Sequence, residues 1–205
     1  MATPHTTNNI PNASGFTLVE MTVSIALFGL LVGMVFQLFT SGFVAQRSTL
    51  GIQESANQVS FVAEYAGRAL RQAQKELEAV SADQCLKAPV AGRGWNYEVS
   101  ASNDSITFID KDGVCRRFLL SSGQVMEQTA AGSLDPHLAA NLGASQALTP
   151  SGMAVTSFRI VQQGADQQDD LQPRVTLVLE AEGETGAKVR VQTTISQRTF
   201  DVAQQ

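Results

Sequence analysis

Residues 15–39 read GFTLVEMTVSIALFGLLVGMVFQLF, and this stretch decides the fold of the chain. Glu20 is its one charged residue, and the charge-free run that begins at Met21 continues to Gln46. An α-helix rises about 1.5 Å per residue, so roughly 20 apolar residues cross the hydrocarbon layer of a bilayer. The stretch is therefore predicted to form a membrane-spanning helix.

A cleaved secretory signal peptide is the main alternative for such a stretch. Signal peptides have a basic segment in front, a shorter apolar core and a small-residue cleavage site behind it. Residues 1–15 contain no Lys or Arg, and the apolar run continues into helical sequence instead of ending at an Ala-x-Ala site. These differences favour a membrane anchor.

Residues 44–80 have the spacing of an amphipathic helix. Apolar side chains recur every three or four residues with polar ones between them, at Val59, Val62, Ala66, Ala69, Ala73, Leu77 and Val80. We therefore expect helix from Phe16 to about Val80, membrane-spanning in its first half and amphipathic in its second. Gly42 and Gly51 are candidate bends, because an interior glycine costs about 1 kcal/mol relative to alanine.

After residue 82 the apolar period changes to two, which indicates strands separated by turns. Residues 129–152 are expected to form a long loop with one helical turn near 136–141. The strands are predicted at 105–109, 114–120, 124–127, 154–161, 174–180 and 188–196. A long helix followed by consecutive strands implies an α+β fold, in which the apolar face of an antiparallel sheet packs on the helix.

The hexapeptide Gly-Phe-Thr-Leu-Val-Glu at residues 15–20, followed directly by the apolar run, resembles the N-terminal signature of type IV prepilins and type II secretion pseudopilins. In that family a membrane peptidase cuts after the glycine and N-methylates the new terminal residue. The resemblance implies cleavage between Gly15 and Phe16, methylation of Phe16, and an assembly role for Glu20. Family leaders usually carry Lys or Arg; this leader has none, so the membrane orientation rests on the resemblance rather than on charge.

Glu20 lies about four residues inside a segment that otherwise avoids charge, and a carboxylate in lipid is costly unless it is paired. After cleavage the α-amine of Phe16 is the nearest cation on the same helix. The resemblance implies pairing with the α-amine of a neighbouring subunit, and the alternative is a solvated carboxylate at headgroup level. Gly29 and Gly33 form a GxxxG pair that permits close helix approach, or they are ordinary transmembrane glycines.

Cys85 and Cys115 are the two cysteines of the chain. They are far apart in sequence and have no nearby histidine pair, which argues against a zinc site. Outside the cytoplasm the expected state is a disulfide between them, and the alternative is two buried thiols.

The remaining sequence argues for a structural protein and against an enzyme. The formal net charge of −5 disfavours broad nucleic-acid binding. The sequence has no phosphate-binding glycine loop, HExxH or GxSxG motif, and His137 alone is thin support for a catalytic triad. No cofactor or resident metal is predicted, although the acidic loop with Asp166, Asp169 and Asp170 leaves calcium binding open.

The predicted organisation is a leader at residues 1–15, a transmembrane and assembly helix at 16–45, and an extracytoplasmic pilin-like α+β domain at 46–205. The resemblance implies a single-pass protein of the inner membrane that later enters a filament. Its implied partners are prepilin peptidase, the inner-membrane assembly platform, membrane lipid, and other pilin or pseudopilin subunits.

A minor pilin or J-class minor pseudopilin is favoured within the family. This rests on a looser resemblance of FVAEYAGRALRQAQ (61–74), and of PRVTLVLE and KVRVQTTISQRTF near the end of the chain. The alternatives are a major, adhesive or DNA-uptake pilin, and a signal-anchored extracytoplasmic binding domain that does not assemble.

Overall fold

The computed structural model describes residues 15–76, 84–86, 95–130, 135–166 and 171–198. The chain divides into two compact units, Met1–Arg47 and Ser48–Gln205. One helix, α1 (Leu18–Arg71), begins in the first unit and ends in the second. Helical structure continues through Gly42 and Gly51, the two candidate bends.

In the first unit, every described side chain of α1 is exposed, apolar ones included. The helix is long and apolar enough to cross a membrane, and no residue of its most apolar stretch is buried. A helix that is apolar all round and not covered by its own chain requires lipid or other helices as its surroundings.

In the second unit, α1 buries most of the stripe that its spacing predicts. Val59, Val62 and Ala66 are buried and share one apolar core with residues from both sheets, and Ala69 is half-buried against that core. Leu70, which the predicted stripe did not include, is buried in the same core. Fully burying an aliphatic side chain of this size contributes about 1.5–3 kcal/mol. The amphipathic half of the helix is therefore part of the folded domain.

The helix ends at Arg71, so the predicted end near Val80 is wrong. Gln74 instead forms an antiparallel bridge with Ile109. Leu77 and Val80, the last residues of the predicted stripe, lie outside the described residues.

Distant parts of the chain satisfy the carbonyl groups at the end of α1 and just after it. The hydroxyl of Tyr97 donates to the Leu70 carbonyl at 2.7 Å, the Arg198 N–H donates to the Arg71 carbonyl at 2.8 Å, and Gln197 Nε2 donates to the Ala73 carbonyl at 2.7 Å. These bonds replace the next helical turn, which is the physical reason for the early end.

In the described part of the chain, eight strands form two antiparallel sheets: β1 (Glu98–Val99), β2 (Ser105–Ile109), β3 (Cys115–Ser121), β4 (Gln124–Thr129), β5 (Gln146–Ala147), β6 (Ala154–Gln163), β7 (Arg174–Glu182) and β8 (Lys188–Ser196). The first sheet has the order β1-β2-β3-β4-β5 and the second β6-β7-β8. The α+β prediction is confirmed, with two sheets instead of the single sheet expected. β1 and β5 were not predicted, because two residues are too few to show a period.

The predicted long loop at 129–152 contains two short elements. A single 3₁₀ turn covers Ala139–Asn141, within the region where one helical turn was expected, and β5 follows it. Residues 131–134 lie outside the described residues.

Gly51 has a packing role that its position in the sequence did not suggest. A Cβ at this position would collide with the side chain of Thr185, in the turn between β7 and β8. The glycine therefore lets that turn approach α1 closely.

The predicted disulfide between Cys85 and Cys115 is present. Both cysteines are fully buried, in a second apolar cluster that includes Leu86, Ile109 and Ala130. The bond attaches the segment that follows the helix to the start of β3.

Candidate functional site

The N-terminus of α1 is built by a capping arrangement. The N–H of Glu20 donates to Thr17 Oγ1 at 3.3 Å, and the N–H of Met21 donates to the Thr17 carbonyl at 3.2 Å. Threonine followed three residues later by glutamate is the capping-box pattern, and such a cap contributes about 1 kcal/mol. The TLVE sequence at 17–20 contains this signal, which the sequence analysis missed.

The cap places the predicted cleavage bond just outside the helix. Gly15 and Phe16 have no helical backbone, and the Phe16 side chain is 79% exposed. Apart from its chain neighbours, no described residue lies within 4 Å of the position that a Cβ on Gly15 would occupy. A peptide bond that is non-helical and uncovered is open to a peptidase, whereas a bond inside the helix would first have to unwind.

Glu20 occupies the first turn of α1, and its side chain is exposed. A negative charge at this end of a helix is favoured by the helix dipole. Among the described residues the Glu20 carboxylate has no ion-pair partner, and along the sequence the next charged residue is Arg47. The carboxylate is therefore available to a cation that the single chain does not supply from its described part.

Three hydroxyl groups of the apolar helix, those of Thr22, Ser24 and Thr40, are satisfied within the helix. Thr22 Oγ1 donates to the Val19 carbonyl at 2.9 Å, and Ser24 Oγ donates to the Glu20 carbonyl at 2.7 Å. Thr40 Oγ1 bonds to the carbonyls one turn earlier in the same way. Polar groups satisfied in this manner add little to the cost of placing a helix in lipid.

Gly29 and Gly33 lie one turn apart on the same face of α1. A Cβ on either residue would meet nothing within 4 Å. The described chain packs nothing against this face, so a role for the pair in close helix approach stays a prediction.

A partly buried polar cluster attaches α1 to the first sheet within the second unit. Tyr65 Oη donates to Glu127 Oε2 at 2.9 Å and accepts from Arg116 Nη2 at 2.9 Å, while Arg116 also pairs with Glu127. Burial and the Glu127 carboxylate both raise the pKa of the Tyr65 phenol. Burial alone would lower the pKa of Arg116, but the hydrogen bonds and charge interactions with Glu127 and Tyr65 together outweigh it and raise that pKa.

The residues considered for catalysis or calcium do not form a site in the described part of the chain. The His137 side chain packs against Gly113 in the β2–β3 turn, and the backbone N–H of His137 donates to Asp135 Oδ1 at 2.9 Å. No group of three or more His, Cys, Asp or Glu side chains among the described residues is placed to hold a metal ion. Asp169 and Asp170 of the acidic loop lie outside those residues.

Comparison with known proteins gives one match. Residues 10–36 match the family model described as the prokaryotic N-terminal methylation motif. This segment contains Gly15, Phe16 and Glu20, the capped start of α1 and most of its bare apolar part. No curated protein and no solved structure matches the chain significantly.

Proposed function

We propose that this chain is a minor structural subunit of a type IV pilus or a type II secretion pseudopilus. The match of its N-terminal segment to the methylation motif supports membership in the type IV prepilin and pseudopilin family. The observation that carries the proposal is the methylation motif joined without interruption to a bare apolar helix. The architecture of one long N-terminal helix packed on antiparallel sheet is pilin-like. The motif indicates a processed subunit with a structural role.

Processing is assigned to Gly15 and Phe16. Prepilin peptidase cuts the bond between them and methylates the new N-terminus on Phe16. The open, non-helical backbone at this bond and the cap that begins at Thr17 support the assignment.

Assembly is assigned to Glu20 and to the helix around it. In a filament core, the Glu20 carboxylate pairs with the methylated α-amine of a neighbouring subunit. The unpaired, exposed carboxylate supports this role, because a charge entering an apolar bundle needs a partner of opposite sign. Gly29 and Gly33 give neighbouring helices a place to approach.

The protein is anchored in the membrane by residues 16–45 before it assembles. Residues 46–205 form the extracytoplasmic domain, and the inner membrane is the starting compartment. The buried disulfide supports export, since disulfides persist in oxidising compartments and are rare in the cytosol.

Mass spectrometry of the native N-terminus tests the proposal directly. We expect N-methyl-Phe16 on filament-associated protein. Gly15→Asp should block cutting, because a charged side chain replaces a hydrogen at the cleaved bond, while Ser14→Ala should be cut normally. Recovery of an intact leader on assembled protein would contradict the assignment. An intact leader on protein that never leaves the membrane would favour a simple anchored binding domain.

The minor role has a separate test. A minor subunit should be rare in sheared filaments relative to the principal subunit, whereas a major or adhesive pilin would dominate or coat them. Quantitative mass spectrometry of purified filaments distinguishes these cases.

A further inference from the structure

Among the described strands, β8 is an outer strand with an uncovered edge. It has nine residues and, in the described part of the chain, pairs with β7 alone, whereas the outer strands of the first sheet, β1 and β5, have two residues each. The outer edge of β6 is bonded to the first half of the domain at two positions, since Ile160 donates its N–H to the Asn103 carbonyl at 2.9 Å and Val155 donates its N–H to the Gly123 carbonyl at 2.8 Å. Among the strands that the structure describes, β8 therefore presents the long open edge.

The hydrogen-bond phase of the β7–β8 ladder identifies the residues that face this edge. Gln197 donates its N–H to the Pro173 carbonyl at 3.0 Å, and Gly183 donates to the Ala187 carbonyl at 2.9 Å, both in the register of the two strands. In an antiparallel ladder, residues bonded to the partner alternate with residues whose N–H and C=O point away. The residues that point away are Lys188, Arg190, Gln192, Thr194 and Ser196. Their backbone groups bond to nothing in the described part of the chain.

A groove of about 400 Å³ runs beside this edge, between β8 and the second half of α1. Its wall on the helix side includes the small residues Ser60, Ala63 and Gly67, and its strand side is formed by 191–193 with Ile195. The Cβ position of Gly67 lies 3.5 Å from Ile195 Cγ1, so helix and strand meet at the floor of the groove. The groove therefore lies next to the unpaired backbone groups of β8, and the wall on its helix side is formed partly by small side chains.

The charges at the edge are unevenly distributed. At one end, two basic residues form ion pairs with carboxylates of β7. Lys188 pairs with Glu182 at 3.7 Å. Arg190 pairs in the same way with Glu180 at 3.2 Å. From Val191 to Ser196 the strand carries no charge.

At the other end of the edge the backbones of two exposed arginines meet, because the Arg198 N–H donates to the Arg71 carbonyl. Neither guanidinium has an ion-pair partner among the described residues. Arg68, which also lines the groove, is bonded to Glu64 at 3.0 Å. The unpaired charge at this end of the groove is therefore positive.

We propose that the β8 edge and its groove receive an extended segment of a neighbouring filament subunit, which joins the second sheet as a fourth strand. The segment has small or apolar side chains toward the groove and an acidic side chain at the end that meets Arg71 and Arg198. Main-chain hydrogen bonds supply the affinity in such strand addition, and the flanking side chains supply the specificity. An edge of this length that stays uncovered is a template for unwanted pairing. The inference rests on the proposed function, because the partner is a subunit of the same filament.

Hydrogen exchange of the full-length chain tests this directly, with single-residue readout by mass spectrometry. Amides that point out of the sheet, such as those of Gln192 and Thr194, should exchange at least about tenfold more slowly in assembled filaments than in membrane-extracted chain. The amides of Val191 and Thr193, which face β7, should be slow in both. Fast exchange of the outward amides in filaments would overturn the inference while leaving the filament role intact.

Slow exchange of the outward amides already in the unassembled chain would also overturn it. The segment that protects these amides would then come from residues 199–205 of the same chain or from a second copy of the chain. A chain that never enters filaments would remove both the inference and the proposed function.

Two matched pairs of variants test the same edge in cells. Gln192→Pro removes one outward N–H and no bond to β7, a change that edge strands tolerate, and Gln192→Ala is its control. We expect the proline variant to enter filaments at least about threefold less than the alanine variant, because the proline variant alone loses the outward N–H and its hydrogen bond. Arg71→Glu should also reduce entry, and more than Arg71→Gln does.

Leader removal and formation of the Cys85–Cys115 disulfide report on processing and folding of each variant. Normal entry of Gln192→Pro into filaments would contradict strand addition at β8. If Gln192→Pro misfolds, the hydrogen-exchange measurement on the wild-type chain is the test of strand addition at β8.

Discussion

At the residue scale, the proposed assembly role of Glu20 follows from its charge and from its place in the first turn of α1. Apolar helices slide past one another with little change in free energy, so hydrophobicity alone sets their register poorly. One carboxylate facing one amine sets it sharply, because a slip leaves both unpaired, and breaking a buried pair by removing one partner costs roughly 3–5 kcal/mol.

Glu20→Ala and Glu20→Gln should therefore be cut after Gly15 and stay in the membrane, but enter filaments poorly. The glutamine variant should fail because it keeps size and hydrogen bonding but loses the charge. Ser24→Ala is the control, since the Ser24 hydroxyl bonds only within its own helix. Immunoblots of sheared filaments and membranes measure the partition. Wild-type assembly of both Glu20 variants would place the carboxylate at headgroup level.

Tyr97 is a second residue with a testable role. Its buried hydroxyl donates to the Leu70 carbonyl near the end of α1. Tyr97→Phe should lower the free energy of unfolding by about 0.5–1.5 kcal/mol at neutral pH, because the carbonyl also accepts from Ala73 and is not left wholly unpaired. Urea unfolding of the detergent-solubilised protein measures it. An unchanged midpoint and slope would show that this bond adds nothing.

The same residue gives a dependence on pH. Burial raises the pKa of the Tyr97 phenol above its usual value near 10. Above pH 10 the phenol keeps its proton in the folded chain and loses it in the unfolded chain. The contribution of this difference to the free energy of unfolding is therefore fully present below pH 10 and decreases as the pH rises above it. Unfolding measured between pH 9 and 11 should show a smaller alkaline loss in Tyr97→Phe than in the wild type.

At the element scale, the disulfide joins the segment after the helix to β3. The two cysteines are 30 residues apart, and the chain-entropy account assigns about 3.5 kcal/mol to a loop of this length. Replacing both by serine should lower the melting temperature without changing the secondary structure. Because both sulfurs are fully buried, alkylation should require reductant together with unfolding. Free thiols in non-reducing peptide maps of the native protein would contradict the pairing.

At the scale of the whole molecule, the domain should be separable from the anchor. The main core draws its helical residues from Val59 onward, within the second compact unit. Deleting residues 1–45 should therefore give a soluble, folded α+β protein under oxidising conditions, checked by circular dichroism and disulfide mapping. Deleting residues 1–63 is the control, because it also removes Val59 and Val62 and should unfold the domain. Aggregation of the shorter deletion would mean that the anchor extends past residue 45.

Local patterns in the sequence determined a large part of this molecule. The charge-free run predicted the bare apolar helix, and the stripe from Val59 predicted its buried face. The alternation at 188–196 predicted β8 with the bounds that the structure has. Each pattern reports the surroundings of consecutive residues, helical or extended, covered or exposed, and therefore needs no knowledge of distant partners.

Only the tertiary structure decided where α1 ends and how the strands divide into two sheets. The helical period continues past Arg71, but the hydroxyl of Tyr97 and the backbone and side-chain groups of 197–198 take the carbonyls there. Gly51, a candidate bend by composition, is instead the place where a distant turn approaches α1. Whether β8 has an open edge likewise depends on which strands pair with one another in the folded chain. Hydrogen bonds and close contacts between residues far apart in the chain leave no period in the sequence, and they decided these features.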